Sequence, residues 1–150
     1  MHNSVTDNYS KHAQIYRFVM GDGSDALDVV LGRLLFALRF KNKLIGTNYL
    51  KEAIVARLQL PQHARVSLTR QVYSRVAEKL CSTVDRVERA IRNAIVDCHN
   101  HGSLLALNDL IQCNVVSKTY VPTNGEFISN VVSWLCLERD KKVAASRPQA

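Results

Sequence analysis

The apolar residues of this chain recur at intervals of three and four positions, which is typical of amphipathic helices. The pattern predicts about six helices after residue 23, joined by short polar segments that carry glycine, proline or capping residues. The one β-branched stretch, NVVSKTYVP, has no partner run and is predicted to be an extended loop. The sequence therefore predicts an all-α domain over residues 24–140, with a helix-turn-helix at about residues 70–101.

Both ends of the chain differ from this domain in composition. Residues 1–23 are polar and end in the sequence GDG, so they are predicted to form a flexible leader with at most a turn or two of helix. Residues 141–150 are small and basic, and a disordered tail is predicted there.

The net charge narrows the class of partner. Twenty lysines and arginines stand against 13 acidic residues, which gives a formal charge of +7 and a pI near 9.5. Such a balance favours a polyanion, either nucleic acid or an acidic membrane surface. The apolar run ALDVVLGRLLFAL is interrupted by Asp28 and Arg33 and is too short to span a bilayer. We therefore expect a cytoplasmic protein without a membrane segment.

Residues suited to catalysis or metal binding form no motif. The four cysteines include no C-x-x-C pair and follow no secretory signal, so reduced thiols are expected. The stretch CHNH contains Cys98, His99 and His101, but no second ligand pair stands at zinc spacing. No nucleophile motif or glycine-rich phosphate loop is present. The sequence therefore predicts neither an enzyme nor a bound metal or cofactor.

Residues 70–101 have the spacing of a helix-turn-helix. Ala77 is small where two helices would cross, Leu80 precedes the turn, and Val87, ten residues after the alanine, would dock the second helix on the first. Cys81 stands where a turn glycine is usual, which is a mild departure from the pattern.

The second helix of this pair carries three arginines on its polar face. Arg86, Arg89 and Arg92 lie opposite an apolar arc, and Glu88 lies among them. Such a face is a solvated surface, a ladder of ion pairs or a nucleic-acid contact. A pair between Glu88 and Arg92 would contribute only about 0.3–0.5 kcal/mol.

The helix-turn-helix spacing favours the nucleic-acid contact. A recognition helix places its N-terminal half at the base edges of the major groove. The arginine fork suits guanine, and glutamate accepts a hydrogen bond from cytosine. We therefore predict that Arg86, Glu88 and Arg89 read bases. We predict that a second group of residues contacts the DNA phosphates and so positions the protein on the DNA: Thr83, Arg92, Asn93, Arg75 and Lys118. For Lys118, a solvated loop is the alternative.

Three stretches of the sequence resemble one family. DRVERAIRNAI is similar to SRVERAIRHAI, the recognition helix of the stage-zero sporulation protein A family, which are response regulators of spore-forming bacteria. GTNYLKEAI resembles the family segment G-Y-x-Y-L-R-E-A-I, and VPTNGEFISNVVSWLCLE resembles its final helix, K-P-T-N-S-E-F-I-A. The resemblance covers about residues 25–140, the family's C-terminal DNA-binding domain of six helices.

The resemblance implies a nucleoid-associated transcription factor whose partner is double-stranded DNA. It implies binding to TGTCGAA-type boxes, with Arg86 and Arg89 on guanines and Glu88 on a cytosine. It also implies that residues 102–111 contact an RNA polymerase sigma factor, and that a second copy binds where boxes stand in tandem.

An alternative function stays open at this level. The residues ahead of the match are too few for the family's receiver domain, so we expect a free-standing effector domain or a fragment of something longer. A receiver-free copy could act as an interaction protein that binds the full regulator or the polymerase and antagonises it. Two departures bear on DNA recognition: Asn93 replaces the family histidine, and Arg75 is added on the first helix of the pair.

Overall fold

The computed structural model describes residues 4–146, and it describes side chains from residue 10 onward. Within these residues the chain forms seven α-helices, one π-helical segment and no strand, which confirms the all-α prediction. The helices are α1 (Ser4–Met20), α2 (Leu27–Ala37), α3 (Ile45–Leu58), α4 (Ser74–Lys79), α5 (Val84–His101), α6 (Ala106–Ile111) and α7 (Asn124–Ser146). The π-helical segment, Leu68–Tyr73, runs directly into α4.

Helix α5 lies at the centre of the fold because one of its faces is fully apolar. That face is buried against α3, α4 and α7, and its members are Val87, Ile91, Ala94, Ile95 and Cys98. Burying each large aliphatic side chain stabilises the fold by about 1.5–3 kcal/mol. The opposite face of α5, which carries the arginines, is left on the outside.

Helix α3 supports α5 from behind at very close range. Gly46 lies against the backbone of Ala90, and a Cβ atom at Gly46 would be 1.9 Å from the Ala90 carbonyl oxygen. The two backbones can approach this closely only because glycine has no side chain. Gly46 therefore sets the position of α5.

The structure differs from the predicted flexible leader at residues 1–23. Residues 4–20 form α1, which packs against α2 and α6, and Val19 is fully buried. His12 Nδ1 lies 2.9 Å from the backbone oxygen of Asp109, and Tyr16 donates a hydrogen bond of 2.6 Å to Glu138. Both partners are distant in sequence, so local pattern gave no sign of them. Residues 1–3 lie outside the described part of the chain.

The structure also differs from the predicted disordered tail, over residues 141–146. Helix α7 continues to Ser146, and Lys142 Nζ donates a hydrogen bond of 2.6 Å to the carbonyl oxygen of Gly23. This bond ties the end of α7 to the turn after α1. The remaining residues of the predicted tail, 147–150, lie outside the described part of the chain. None of the helices in residues 4–146 combines the length and the apolarity needed to cross a bilayer.

The bond between Tyr16 and Glu138 holds α1 to α7, and it predicts a dependence of stability on pH. The hydrogen bond to Glu138, then burial, and then the Glu138 charge raise the pKa of Tyr16 to about 12. Because this pKa is above the value in an unfolded chain, the contribution is complete below about pH 10 and is lost as pH rises through about 12. We expect Tyr16→Phe to lower the free energy of unfolding by about 1–2 kcal/mol at pH 7, because the buried Glu138 carboxylate loses one of its two donors among the described residues and keeps only Lys141.

Urea denaturation of both proteins between pH 7 and pH 11 measures this effect. Wild type should lose stability above pH 10 more steeply than Tyr16→Phe. Tyr120→Phe is the matched control, since Tyr120 also donates to a carboxylate, that of Glu126, but is exposed. Its effect should be smaller. Equal stability of Tyr16→Phe and wild type at pH 7 would contradict the assignment.

Candidate nucleic-acid interface

The turn between α4 and α5 has the geometry of a helix-turn-helix. Ala77 and Val87 are buried, and the amide of Ser82 donates to the Ala77 carbonyl oxygen at 2.8 Å, which closes the end of α4. Cys81 has a φ of +53°, the left-handed conformation that glycine adopts most easily. The cysteine at the usual glycine position therefore takes the glycine conformation.

Replacing Cys81 with glycine should stabilise the protein. A residue with a Cβ atom in the left-handed region costs about 1–2 kcal/mol, and glycine offsets part of this gain through its greater freedom when unfolded. We expect Cys81→Gly to raise the free energy of unfolding by about 0.5–1 kcal/mol in chemical denaturation. Cys113→Gly is the matched control, because Cys113 is also exposed but lacks a positive φ. The control should be destabilised; a gain of the same size in both variants would refute the explanation.

Thr83 starts α5 as its N-cap. Its Oγ1 accepts a hydrogen bond of 3.2 Å from the amide of Arg86, and its backbone is extended. Thr83, and not the adjacent Ser82, therefore caps α5. The Thr83 side chain, predicted to face a phosphate, is exposed while its oxygen serves the helix.

The predicted base-reading residues share one exposed stretch at the start of α5. Arg86, Glu88 and Arg89 are all exposed, and within residues 10–146 none of them lies within 4.0 Å of an oppositely charged group. A ladder of ion pairs therefore does not explain this face. Its charges are available to a partner.

A cleft of about 710 Å³ runs along this face of α5. It lies between α5, the start of the π-helical segment and the start of α7. Four residues predicted from the sequence line it: Glu88, Arg89, Arg92 and Asn93. Asn93 is exposed and Arg92 is half-buried. The cleft thus brings together members of both predicted groups, the base readers and the phosphate contacts.

Arg75 and Lys118 do not line this cleft. Arg75 is exposed on α4 and lines a separate small depression together with Glu52 and Lys79. Lys118 is exposed in the irregular segment 112–123. The preceding residue, Ser117, contacts α5, because its carbonyl oxygen lies 2.8 Å from His99 Nε2. That bond holds the segment next to the far end of α5.

Sequence reasoning missed the cleft residues contributed by other helices. Thr69 comes from the π-helical segment, Thr123 directly precedes α7, and Asn124 is the first residue of α7. The sequence does contain one signal, the capping box formed by Thr123 and Glu126. In the structure the amide of Glu126 donates to Thr123 Oγ1 at 3.1 Å. Nothing in the local sequence indicates that this capping box lies close to α5.

Glu126 gives the edge of the cleft a fixed negative charge. The hydroxyl of Tyr120, then Thr123, and more weakly the charge of Arg92 hold the pKa of Glu126 below its usual value. Tyr120 donates to the Glu126 carboxylate at 2.7 Å. Glu126 therefore stays ionised near neutral pH.

Cys98 and His99 of the CHNH stretch are engaged in the fold. Cys98 is buried and its thiol donates to the Leu38 carbonyl oxygen at 3.0 Å, while burial raises the pKa of this thiol to about 12. Within the described residues, no three histidine, cysteine, aspartate or glutamate side chains cluster closely enough to hold a metal ion.

Comparison with known families agrees with the helical architecture. The family model described as "Sporulation initiation factor Spo0A C terminal" matches residues 31–135. The match extends from α2 into α7 and includes the helix-turn-helix and every residue that lines the cleft. Because it covers well over half of the chain, this protein belongs to the Spo0A C-terminal family, whose members are helical DNA-binding domains of transcription regulators of sporulation.

Proposed function

We propose that this protein regulates transcription by binding double-stranded DNA at TGTCGAA-type boxes, with the first half of α5 in the major groove. The observation that carries the proposal is the exposure of Arg86, Glu88 and Arg89 on one helix, without ion-pair partners among residues 10–146. In a helix-turn-helix, the residues at the start of the second helix are the ones that contact base edges in the major groove.

Each base-reading residue has a defined role in this proposal. Arg86 and Arg89 donate to O6 and N7 of guanines, because the guanidinium fork matches both acceptors. Glu88 accepts from the N4 amine of a cytosine. A carboxylate also repels the phosphate backbone, so Glu88 discriminates against sites that lack its cytosine.

The phosphate contacts flank this reading face. Thr83 directly precedes α5, and Asn93 follows the reading residues on that helix. Arg75 and Lys118 are exposed cations on α4 and on the segment 112–123. Each phosphate that a cation neutralises steepens the dependence of log K on log salt by about 0.9. Arg92 is a separate case, because its side chain already donates to Pro122.

The same proposal includes two further binding partners, an RNA polymerase sigma factor and a second copy of this protein. A sigma factor that met residues 102–111 would have to use the outer side of α6, because α1 packs on this helix and Leu107 and Leu110 are buried. A second copy would bind on duplexes that carry two boxes in tandem. Titration of one-box and two-box duplexes distinguishes independent from cooperative binding.

Fluorescence anisotropy with a TGTCGAA duplex and a scrambled duplex, at two salt concentrations, tests the central proposal. We expect tighter binding to the box, with a preference that persists at the higher salt, because base contacts do not depend on counterion release. Equal and steeply salt-dependent binding to both duplexes would show that α5 holds only phosphates. Absence of binding to either would favour the interaction protein.

A further inference from the structure

Arg92 lies on the same helix as the reading residues, but its side chain is directed toward the protein. It is half-buried, and its Nη1 donates to the carbonyl oxygen of Pro122 at 2.5 Å. The ionised Glu126 carboxylate is also near enough for the Arg92 charge to lower the pKa of that group. An arginine that contacts DNA phosphate relies on free donors and an uncompensated charge. In Arg92, one donor is already bonded to the Pro122 carbonyl oxygen, and the Glu126 carboxylate compensates part of the positive charge.

A second bond holds α5 at the same place. Asn124 Nδ2 donates to the backbone carbonyl oxygen of Glu88 at 3.1 Å, and Asn124 is buried with 9% of its surface exposed. Glu88 and Arg92 are four residues apart, so they lie one above the other on the same side of the helix. The two bonds therefore fix one stripe of α5 over a full helical turn.

The segment that makes both bonds is itself held in place. We call residues 120–126 the anchor segment. Tyr120 and Thr123 both bond to Glu126 within it, and α7 continues from it through the buried Phe127 and Ile128. The anchor segment is thus joined to the core on one side and to α5 on the other.

We propose that Arg92 and Asn124 are positioning residues, which fix α5 against the anchor segment so that Arg86 and Arg89 meet the bases in register. Arg92 on this account contacts no phosphate. The inference rests on the proposed function, since it concerns the same reading face. It assigns the P-T-N-x-E-F motif a part in sequence discrimination in addition to capping α7.

Salt dependence separates a positioning role from a phosphate contact. Arg92→Ala and Asn124→Ala are titrated with the TGTCGAA duplex and the scrambled duplex across a range of salt. In both variants we expect an unchanged slope of log K against log salt and an affinity ratio of box over scrambled that falls about tenfold, as for one lost base contact. Arg17→Ala is the charge-matched control, because Arg17 is exposed on α1, and it should keep the ratio.

Several results would overturn the proposal. A slope shallower by about 0.9 in Arg92→Ala would identify a phosphate contact. A wild-type ratio in either variant would show that its bond does not position the helix. Thermal melting verifies that each variant is folded, and Arg92→Ala carries the test if the buried Asn124→Ala does not fold. If wild type itself shows no preference for the box, the proposed function fails, while the slope on the scrambled duplex still decides whether Arg92 contacts phosphate.

Discussion

Gly46→Ala should lower the free energy of unfolding by about 2–3 kcal/mol, the cost typical of forcing a methyl group into a packed interior. The new Cβ atom would lie 1.9 Å from the Ala90 carbonyl oxygen, 2.6 Å from its carbonyl carbon and 3.0 Å from the Ala94 Cβ atom. Two of these atoms belong to the backbone of α5 and have no rotamer to change. Helix α3 and helix α5 must therefore separate, and urea denaturation measures the cost.

Gly32→Ala provides the matched control for this prediction. Gly32 lies within α2, and a Cβ atom there would meet nothing within 4 Å. Alanine is the better helix former, so the control should be stabilised by about 0.5–1 kcal/mol. Opposite signs in the two variants would establish that the close approach of α3 to Ala90, and not the loss of glycine, is responsible. A Gly46→Ala variant as stable as wild type would contradict the described crossing of α3 and α5.

Arg89→Ala should weaken binding to the TGTCGAA duplex by about 1–3 kcal/mol, the value typical of one bidentate contact to guanine. Arg89 is exposed and makes no ion pair within residues 10–146, so its removal should leave the fold intact. Binding to a scrambled duplex should weaken far less, because only the electrostatic part is lost. Anisotropy titration against both duplexes gives the two losses directly.

The control for Arg89→Ala is again Arg17→Ala, which removes the same charge from α1. Its effect on both duplexes should be small and equal, because it changes only the overall electrostatic attraction. An equal loss on both duplexes for Arg89→Ala would mean that Arg89 contacts a phosphate and reads no base. A loss in Arg17→Ala as large as that in Arg89→Ala would show that net charge alone drives binding.

Much of the candidate interface was predictable from the sequence, because the signals are local. The spacing of Ala77, Leu80 and Val87 predicted the helix pair, and the structure buries Ala77 and Val87 as expected. The periodicity of α5 separated its apolar arc from its arginines. Exposure of Arg86 and Arg89 follows from that periodicity, since residues opposite a buried stripe must face outward.

Contacts between residues far apart in the chain were not predictable in this way. The partner of Arg92 is Pro122, 30 residues further along, and the partner of Tyr16 is Glu138, 122 residues away. The first bond directs the side chain of Arg92, a predicted phosphate contact, toward the protein. The second helps to hold α1, which lies in the predicted leader, against α7. Neither bond alters the hydrophobic period on which the sequence analysis depended.

The sequence by itself thus determined the helical class, the helix-turn-helix and the charged face of α5, because periodicity and spacing along one helix are enough to specify them. The tertiary structure alone decided which of those arginine side chains keep their hydrogen-bond donors available. It brings the start of α7 to within hydrogen-bonding distance of α5, and there the Arg92 side chain finds an acceptor, while the side chains of Arg86 and Arg89 make no hydrogen bond to the described residues. The physical reason is that the position of one helix against another is set by packing, as at Gly46, and packing joins residues that the order of the chain keeps apart.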